Sequence, residues 1–375
     1  MPMNKQLLGG IGRDEFLRDY WQKRPLLVRN AILGFNGLIE PAALFELAEN
    51  EDVQARLVRQ KGKSWDLLNG PLEASDYQSK RGSNVWTLLV QELNHHLPSG
   101  EALLQQFDFI PHARLDDLMV SYAVPGGGVG PHFDSYDVFL LQGRGHRRWQ
   151  ISAQDDLTLI PGAPLRILQH FTPEQEWVLG PGDMLYLPPC YAHNGIAVDD
   201  GCMTYSIGFR APTTQEIATQ FLVYMQDKLE LEGRYQDPDL VLQVHPAEIG
   251  DAMIEQMQSM IAQVQWGRED VVDFLGRYLT EPKPHVYFQP PRRAVSFEKF
   301  VLAAQSKGVR LAPQSHMLFH AESYYLNGEL VALQGCRDLL QVLADTRRID
   351  ARVFETAMSG WLYEAYIDGY LLVGV

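Results

Sequence analysis

The sequence predicts an antiparallel β sandwich or barrel, followed by a helical segment and a small mixed α+β module. Three observations predict it. Between Leu115 and Arg210, short runs rich in Val, Ile, Tyr, Phe and Leu are broken by Gly and Pro turns, a pattern of many strands and little helix. After Pro212 the apolar residues recur with the period of a helix. Past a proline-rich break, EPKPHVYFQPPRR, helical stretches flank a hairpin signal. With 375 residues the chain exceeds one ordinary core, and the expected divisions are 1–212, 213–282 and 283–375.

Residues 14–34, DEFLRDYWQKRPLLVRNAILG, read as a short helix and a strand. The strands of the β region are LDDLMVSYAV, YDVFLLQG, HRRWQIS, EWVLGPGDMLYLPP and MTYSIGFR. TTQEIATQFLVYMQDKLELEG then opens on Thr213 or Thr214 as N-cap, and Ile217, Phe221, Tyr224, Met225 and Leu229 fall on one side. HPAEIGDAMIEQMQSMIAQVQ and GREDVVDFLGRYL continue as helices. Broad apolar stripes on helices appended to a β domain suit a homodimer interface, the alternative being packing on their own chain. The last ninety or so residues run helix (SFEKFVLAAQSKG), a hairpin at Asn327-Gly328, helices (CRDLLQVLAD, DARVFETAMSG) and a strand (GYLLVGV), resembling a winged helix.

Composition narrows the class. Hydrophobic residues make up 46% and charged residues 21%, the balance of a folded, soluble chain. No window reaches the apolar length of a membrane span, and the N-terminus lacks a signal-peptide core. Cys190, Cys202 and Cys336 are few and scattered, which suits a reducing compartment and a cytoplasmic location. The net charge is −15, unevenly placed: residues 283–375 hold ten basic and nine acidic groups, the first 282 hold 22 and 38. An acidic surface repels nucleic-acid backbones and attracts basic partners. The winged-helix-like end lacks the basic stripe of a DNA reader, so a protein-contact or architectural role is expected there.

The chemistry concentrates after Gly126-Gly127-Gly128-Val129-Gly130. A phosphate loop would lead into a helix, usually through Gly-Lys-Ser/Thr; this run leads into PHFDSYDVFLL, without lysine. It reads as a side-chain-free bend with something close to the backbone. In an extended chain His132 and Asp134 project to one face. His193 follows a turn, a short strand and the stiff Pro188-Pro189 corner. Two histidines and a carboxylate form the facial triad of non-haem Fe(II) oxygenases. The other histidines lack this setting; His146, the nearest rival, alternates to the face opposite Arg147. Arg147 and Trp149 share a face of HRRWQIS. An inward arginine needs an anion, which a dicarboxylate cosubstrate would supply through paired hydrogen bonds. The alternative is a surface Arg147–Asp pair.

GPHFD, GHRRW and PGDMLYLPPCYAH together resemble the Jumonji-C family of Fe(II)- and 2-oxoglutarate-dependent oxygenases. The resemblance implies a cupin-like double-stranded β-helix or jelly roll, with His132, Asp134 and His193 as iron ligands and Arg147 on the distal carboxylate of 2-oxoglutarate. Ser121 matches a polar pocket position; Thr204 and Ser206 are further pocket candidates. DYWQKRPLLVRNA and the order roll, helical dimerisation segment, winged-helix-like end are similar to the ribosomal oxygenase subgroup. That implies hydroxylation of an arginine side chain in a large-subunit ribosomal protein. Other readings are a histidine hydroxylase or demethylase of the same chemistry, a cupin-type isomerase or dioxygenase, and a non-enzymatic cupin-fold binding protein. One departure is Cys190, where the family often has glycine, which puts the conformation of that loop in question.

Overall fold

Alternating side chains along short strands build two facing sheets in the first part of the computed structural model. The structure describes residues 7–62, 64–77, 85–333, 335–354 and 356–374. They divide into two units. One takes in the chain up to Ala211 with Lys283–Gln289 and Ala312–Gln314; the other takes Pro212–Pro282, Pro290–Leu311 and the chain from Ser315.

In chain order the strands of the first unit are β1 (Leu26–Val28), β2 (Ala55–Lys61), β3 (Ser64–Asn69), β4 (Val85–Val90), β5 (Leu115–Ala123), β6 (Val138–Arg144), β7 (Arg147–Ser152), β8 (Gln175–Leu179), β9 (Met184–Leu187), β10 (Ala192–Ala197) and β11 (Cys202–Phe209). Eight pair in the order β1-β9-β6-β11-β5-β4-β2-β3, and β10-β7-β8 make the second sheet. Every strand expected from pattern between Leu115 and Arg210 forms. β10 was not anticipated, nor were β2, β3 and β4, which widen the large sheet on one side.

β11 is buried along its whole length because it packs on both faces. Met203, Tyr205, Ile207 and Phe209 enter the larger core with Phe16, Leu44, Phe107, Phe139 and Tyr186. Each such fully buried side chain contributes about 1.5–3 kcal/mol. On the other face, Val138, Leu140, Leu185 and Leu187 of the large sheet meet Trp149, Ile151 and Leu179 of the small one. That contact closes the roll and leaves its polar inner positions facing one cavity.

A buried carboxylate fixes the start of β6. Asp137 is fully buried and accepts hydrogen bonds from the Tyr186 hydroxyl (2.7 Å), Gln22 Nε2 (2.9 Å) and Arg114 Nη2 (3.2 Å). Such partners offset the cost of burying charge. They explain the DYWQKRP stretch, whose Trp21 also stacks on Tyr186 at 5.8 Å.

In the second unit, the helix Thr214–Lys228 opens with Thr213 Oγ1 accepting from the Glu216 amide at 3.1 Å, the expected cap. It meets the helix Arg268–Thr280 through Phe221 and Phe274, 5.3 Å apart. The helix expected over HPAEIGDAMIEQMQSMIAQVQ is confined to Asp251–Ile261, starting after Gly250. Further on, Phe300, Leu340, Leu343, Met358, Leu362 and Leu371 form a separate core. The Asn327-Gly328 hairpin forms with φ of 51° and 89°, as its turn requires. DARVFETAMSG is a correction: Ala351–Val353 and Thr356–Met358 are single 3₁₀ turns, and the helix is Ser359–Ile367. The helix follows its buried side, which Leu362 and Ala365 carry. Glu355 in that stretch and Val375 in the terminal strand lie outside the described residues.

Candidate metal and cosubstrate site

The glycine run makes room for the site. A Cβ on Gly127 would lie 2.6 Å from the Trp86 carbonyl oxygen, and one on Gly128 only 2.4 Å from that of Gly195. Gly130 has a φ of +81°, and a Cβ there would meet the Trp65 ring at 2.8 Å. The bend therefore threads between β4, β10 and Trp65, and no side chain fits at Gly127, Gly128 or Gly130.

Beyond the bend the chain pairs with β10 at one point. His132 and His193 form an isolated antiparallel bridge, with N–H···O distances of 2.9 and 2.8 Å. The expected strand around His132 is thus a single extended pairing; the ladder begins at Val138. Residues opposite each other in such a pair share a face, and Asp134 rejoins that face two residues on. The Asp134 carbonyl also accepts from the Cys190 amide at 2.7 Å. Cys190 has a φ of +62°, the left-handed conformation that glycine adopts without strain. The departure at that position therefore leaves the loop conformation in place.

The three side chains converge. One ligand atom from each of His132, Asp134 and His193 lies within 4.8 Å of the others. His193 Nε2 is 3.6 Å from Asp134 Oδ2, and the imidazole centroids are 4.1 Å apart. His132 Nδ1 donates to the Gly130 carbonyl at 2.9 Å and His193 Nδ1 to the Tyr191 carbonyl at 2.8 Å. Both Nε2 lone pairs are left for a cation, and both rings are fixed in orientation. Burial, with His132 close by, pushes His193 down to about 4, so it is neutral at physiological pH, the state that binds a metal.

Register turns Arg147 and Trp149 to the same side as His193. Across β10 and β7, His193 pairs with Ile151, Gly195 with Trp149 and Ala197 with Arg147, so all face inward. Arg147 is 4% exposed, and its Nη2 donates to Ser121 Oγ at 3.3 Å. Its Nε is buried without a partner, and among the described residues no carboxylate pairs with the guanidinium. A buried, unpaired cation is costly, so the cavity is built for an anion. The surface-pair alternative is overturned by this burial. Thr204 pairs across the sheet with Ser121, is buried, and donates to Gln142 Oε1 at 2.8 Å. Ser206 is buried on the same face. Trp149 walls the cavity between Arg147 (5.8 Å) and His193 (5.9 Å), and its ring fits only because residue 195 is glycine.

Two residues beside Gly208 were not singled out from the sequence. Asp117 Oδ1 lies 3.5 Å from where a Gly208 side chain would begin, and the Tyr136 ring lies 3.9 Å from the same point. Burial, with Asp134, Asp117 and Asp116 close by, pushes the Tyr136 hydroxyl well above the usual phenol range. Burial and then Asp116 raise Asp117 to about 6. Asp117 and Tyr136 thus meet beside Gly208, which carries no side chain. The signal was the adjacent Asp116-Asp117 pair in LDDLMVSYAV, whose second member alternates to the face of Ser121.

Residues 102–217 match the family profile described as JmjC domain, and residues 257–371 the one described as ROXA-like winged helix. The chain is 34% identical over 349 residues to the Escherichia coli protein named ribosomal protein uL16 3-hydroxylase, covering 92% of this chain and 91% of that one. It is 38% identical over 293 residues to a Haemophilus influenzae protein named "Probable ribosomal oxygenase", covering 76% and 69%. Among solved structures, it is similar to YcfD, a ribosomal oxygenase from Escherichia coli, in complex with cobalt and 2-oxoglutarate. The TM-score is 0.82 at 30% identity, over 96% of this chain and 98% of that one.

Proposed function

Because the chain belongs to the ribosomal oxygenases of the JmjC family, we propose that it is an Fe(II)- and 2-oxoglutarate-dependent protein hydroxylase acting on an arginine side chain of a large-subunit ribosomal protein. One observation carries the reading: a ligand triad with both Nε2 atoms free, in the same cavity as a buried guanidinium that lacks an anion. Hard oxygen and imidazole donors suit Fe(II), and the partnerless Arg147 Nε suits a carboxylate. A relative solved with cobalt and 2-oxoglutarate supports the same pair of ligands.

His132, Asp134 and His193 hold the metal; Arg147 and Ser121 hold the far carboxylate of 2-oxoglutarate. Bound together, iron and 2-oxoglutarate would supply the oxidising chemistry with molecular oxygen as the oxidant: one atom of O2 would end in succinate as carbon dioxide leaves, and the other would enter a substrate C–H bond. The chain's own part is placement and exclusion. Leu140, Leu187 and Trp149 keep water from the inner wall. Asp117, beside Tyr136, takes the target guanidinium through charge-assisted hydrogen bonds. The acidic excess of the first 282 residues draws in a basic protein.

The partner relation extends to a second copy of the chain. Leu222, Val223, Ile254, Ile261 and Trp266, in residues 213–282, are exposed apolar side chains, and we assign them to a homodimer interface. We place the protein in the cytoplasm, on its ribosomal target and on a cysteine content of only Cys190, Cys202 and Cys336, widely spaced along the chain.

Anaerobic addition of Fe(II) and 2-oxoglutarate is expected to give a weak visible charge-transfer band. With oxygen, protein uL16 should gain the mass of one oxygen atom on an arginine. A folded protein that shows no band, or an uL16 that stays unmodified while succinate accumulates, refutes the assignment.

A further inference from the structure

The charged groups behind Asp117 form a connected support. Glu92 sits in the left-handed conformation with a φ of 54°, unusual for a residue with a side chain. Its amide donates to Asp117 Oδ2 at 3.2 Å. Its own carboxylate is nearly buried and is held from the other side. Lys283 Nζ lies 3.0 Å from Glu92 Oε1, and His285 Nε2 donates to Glu92 Oε2 at 2.7 Å. His95 Nδ1 is 3.6 Å from the same oxygen. Lys283 Nζ also lies 3.0 Å from Asp116 Oδ1, which Arg210 Nε approaches to 3.6 Å.

The consequence is a division of labour between neighbouring acids. Asp116 has its charge answered by Lys283 and Arg210. Asp117 receives a backbone amide on one oxygen, while the other lies beside Gly208 and Tyr136. Lys283 and His285 lie on Lys283–Gln289, a segment that belongs to the oxygenase unit although the residues before it belong to the other unit. A strained backbone at Glu92 persists only where its surroundings hold it, and here two side chains of that segment do so.

We propose that Lys283 and His285 are positioning residues for the substrate: through Glu92 they fix the Asp117 carboxylate that receives the arginine guanidinium. The proposal rests on the reading of Asp117 given above. It implies that the segment after the helical region sets substrate affinity without touching either metal or 2-oxoglutarate.

The test compares Lys283→Met and Lys283→Arg in the full-length, Fe(II)-loaded protein, using uL16 as substrate. Lys283→Met should raise the KM for uL16 about tenfold, the loss of one well-placed charged hydrogen bond. The KM for 2-oxoglutarate and the succinate formed without substrate should not change. Lys283→Arg should restore the KM to near the starting value. If Lys283→Met fails to fold because the nearly buried Glu92 loses its lysine counter-charge, Glu92→Gln with Lys283→Met removes both charges and should show the same rise in KM. An unchanged KM for uL16, or a parallel loss for 2-oxoglutarate and uncoupled succinate, overturns the proposal. A crystal structure of the folded variant separates it from the function itself. Asp117 should turn away from the Glu92 amide; if it stays, the positioning role is wrong. If the wild type modifies no arginine, the function falls, and the orientation of Asp117 still decides the positioning role.

Discussion

Arg147 shows how far single residues account for the site. Its guanidinium is buried beside Ser121 with Nε unpartnered, so the folded protein holds a charge that only a ligand satisfies. Arg147→Met should raise the KM for 2-oxoglutarate by about tenfold to a hundredfold, since a hydrogen bond to a charged group is worth about 1.5–3 kcal/mol. Iron affinity should hold, because His132, Asp134 and His193 are untouched. Titration of 2-oxoglutarate in a decarboxylation assay measures this, and an unaltered KM would return Arg147 to a structural role. His132, Asp134 and Arg147 were legible in the sequence because alternation along an extended chain is a local property. Asp117 was not, because its meaning depends on the space beside Gly208 and on the Glu92 amide, both supplied by distant parts of the chain.

Among the elements, the bend at Gly126–Gly130 has the largest effect on the metal site. It lets β10 approach so closely that Gly128 meets the Gly195 carbonyl, two residues from His193. Gly128→Ala must push β10 back, because backbone cannot rotate out of the way as a side chain can. The expected cost is about 3 kcal/mol of stability, seen in urea denaturation, together with weaker iron binding in the folded fraction. Unchanged iron affinity would show that β10 is held elsewhere. Pattern identified β5 to β9 and β11, since their apolar runs end in Gly and Pro, but not β10, the strand that carries His193. It did not identify β2 and β3, whose half-exposed, charged sequences ARLVRQK and SWDLLN carry little apolar signal. β2 joins the sheet by pairing with β4, a segment well separated from it in sequence, and β3 joins it by pairing with β2.

For the whole molecule, the exposed apolar side chains of residues 213–282 need a cover. Leu222 and Ile261 are 61% and 69% exposed, more than isolated surface residues would explain when Val223, Ile254 and Trp266 join them. Leu222→Glu combined with Ile254→Glu should convert a dimer into a monomer, read by sedimentation, because carboxylates buried at an interface without partners cost several kcal/mol. A wild type that sediments as a monomer would remove the interface. The sequence alone determined a strand-rich domain, because local periodicity and turn chemistry mark its strands, and its likeness to the Jumonji-C family marked His132, Asp134, His193 and Arg147 as candidates. Only the tertiary structure decided that Arg147 lacks a counter-charge, that Asp117 lies beside Gly208 and Tyr136 and that Lys283 stands behind it. Burial and charge balance are properties of neighbours brought together by folding, and no stretch of chain carries them by itself.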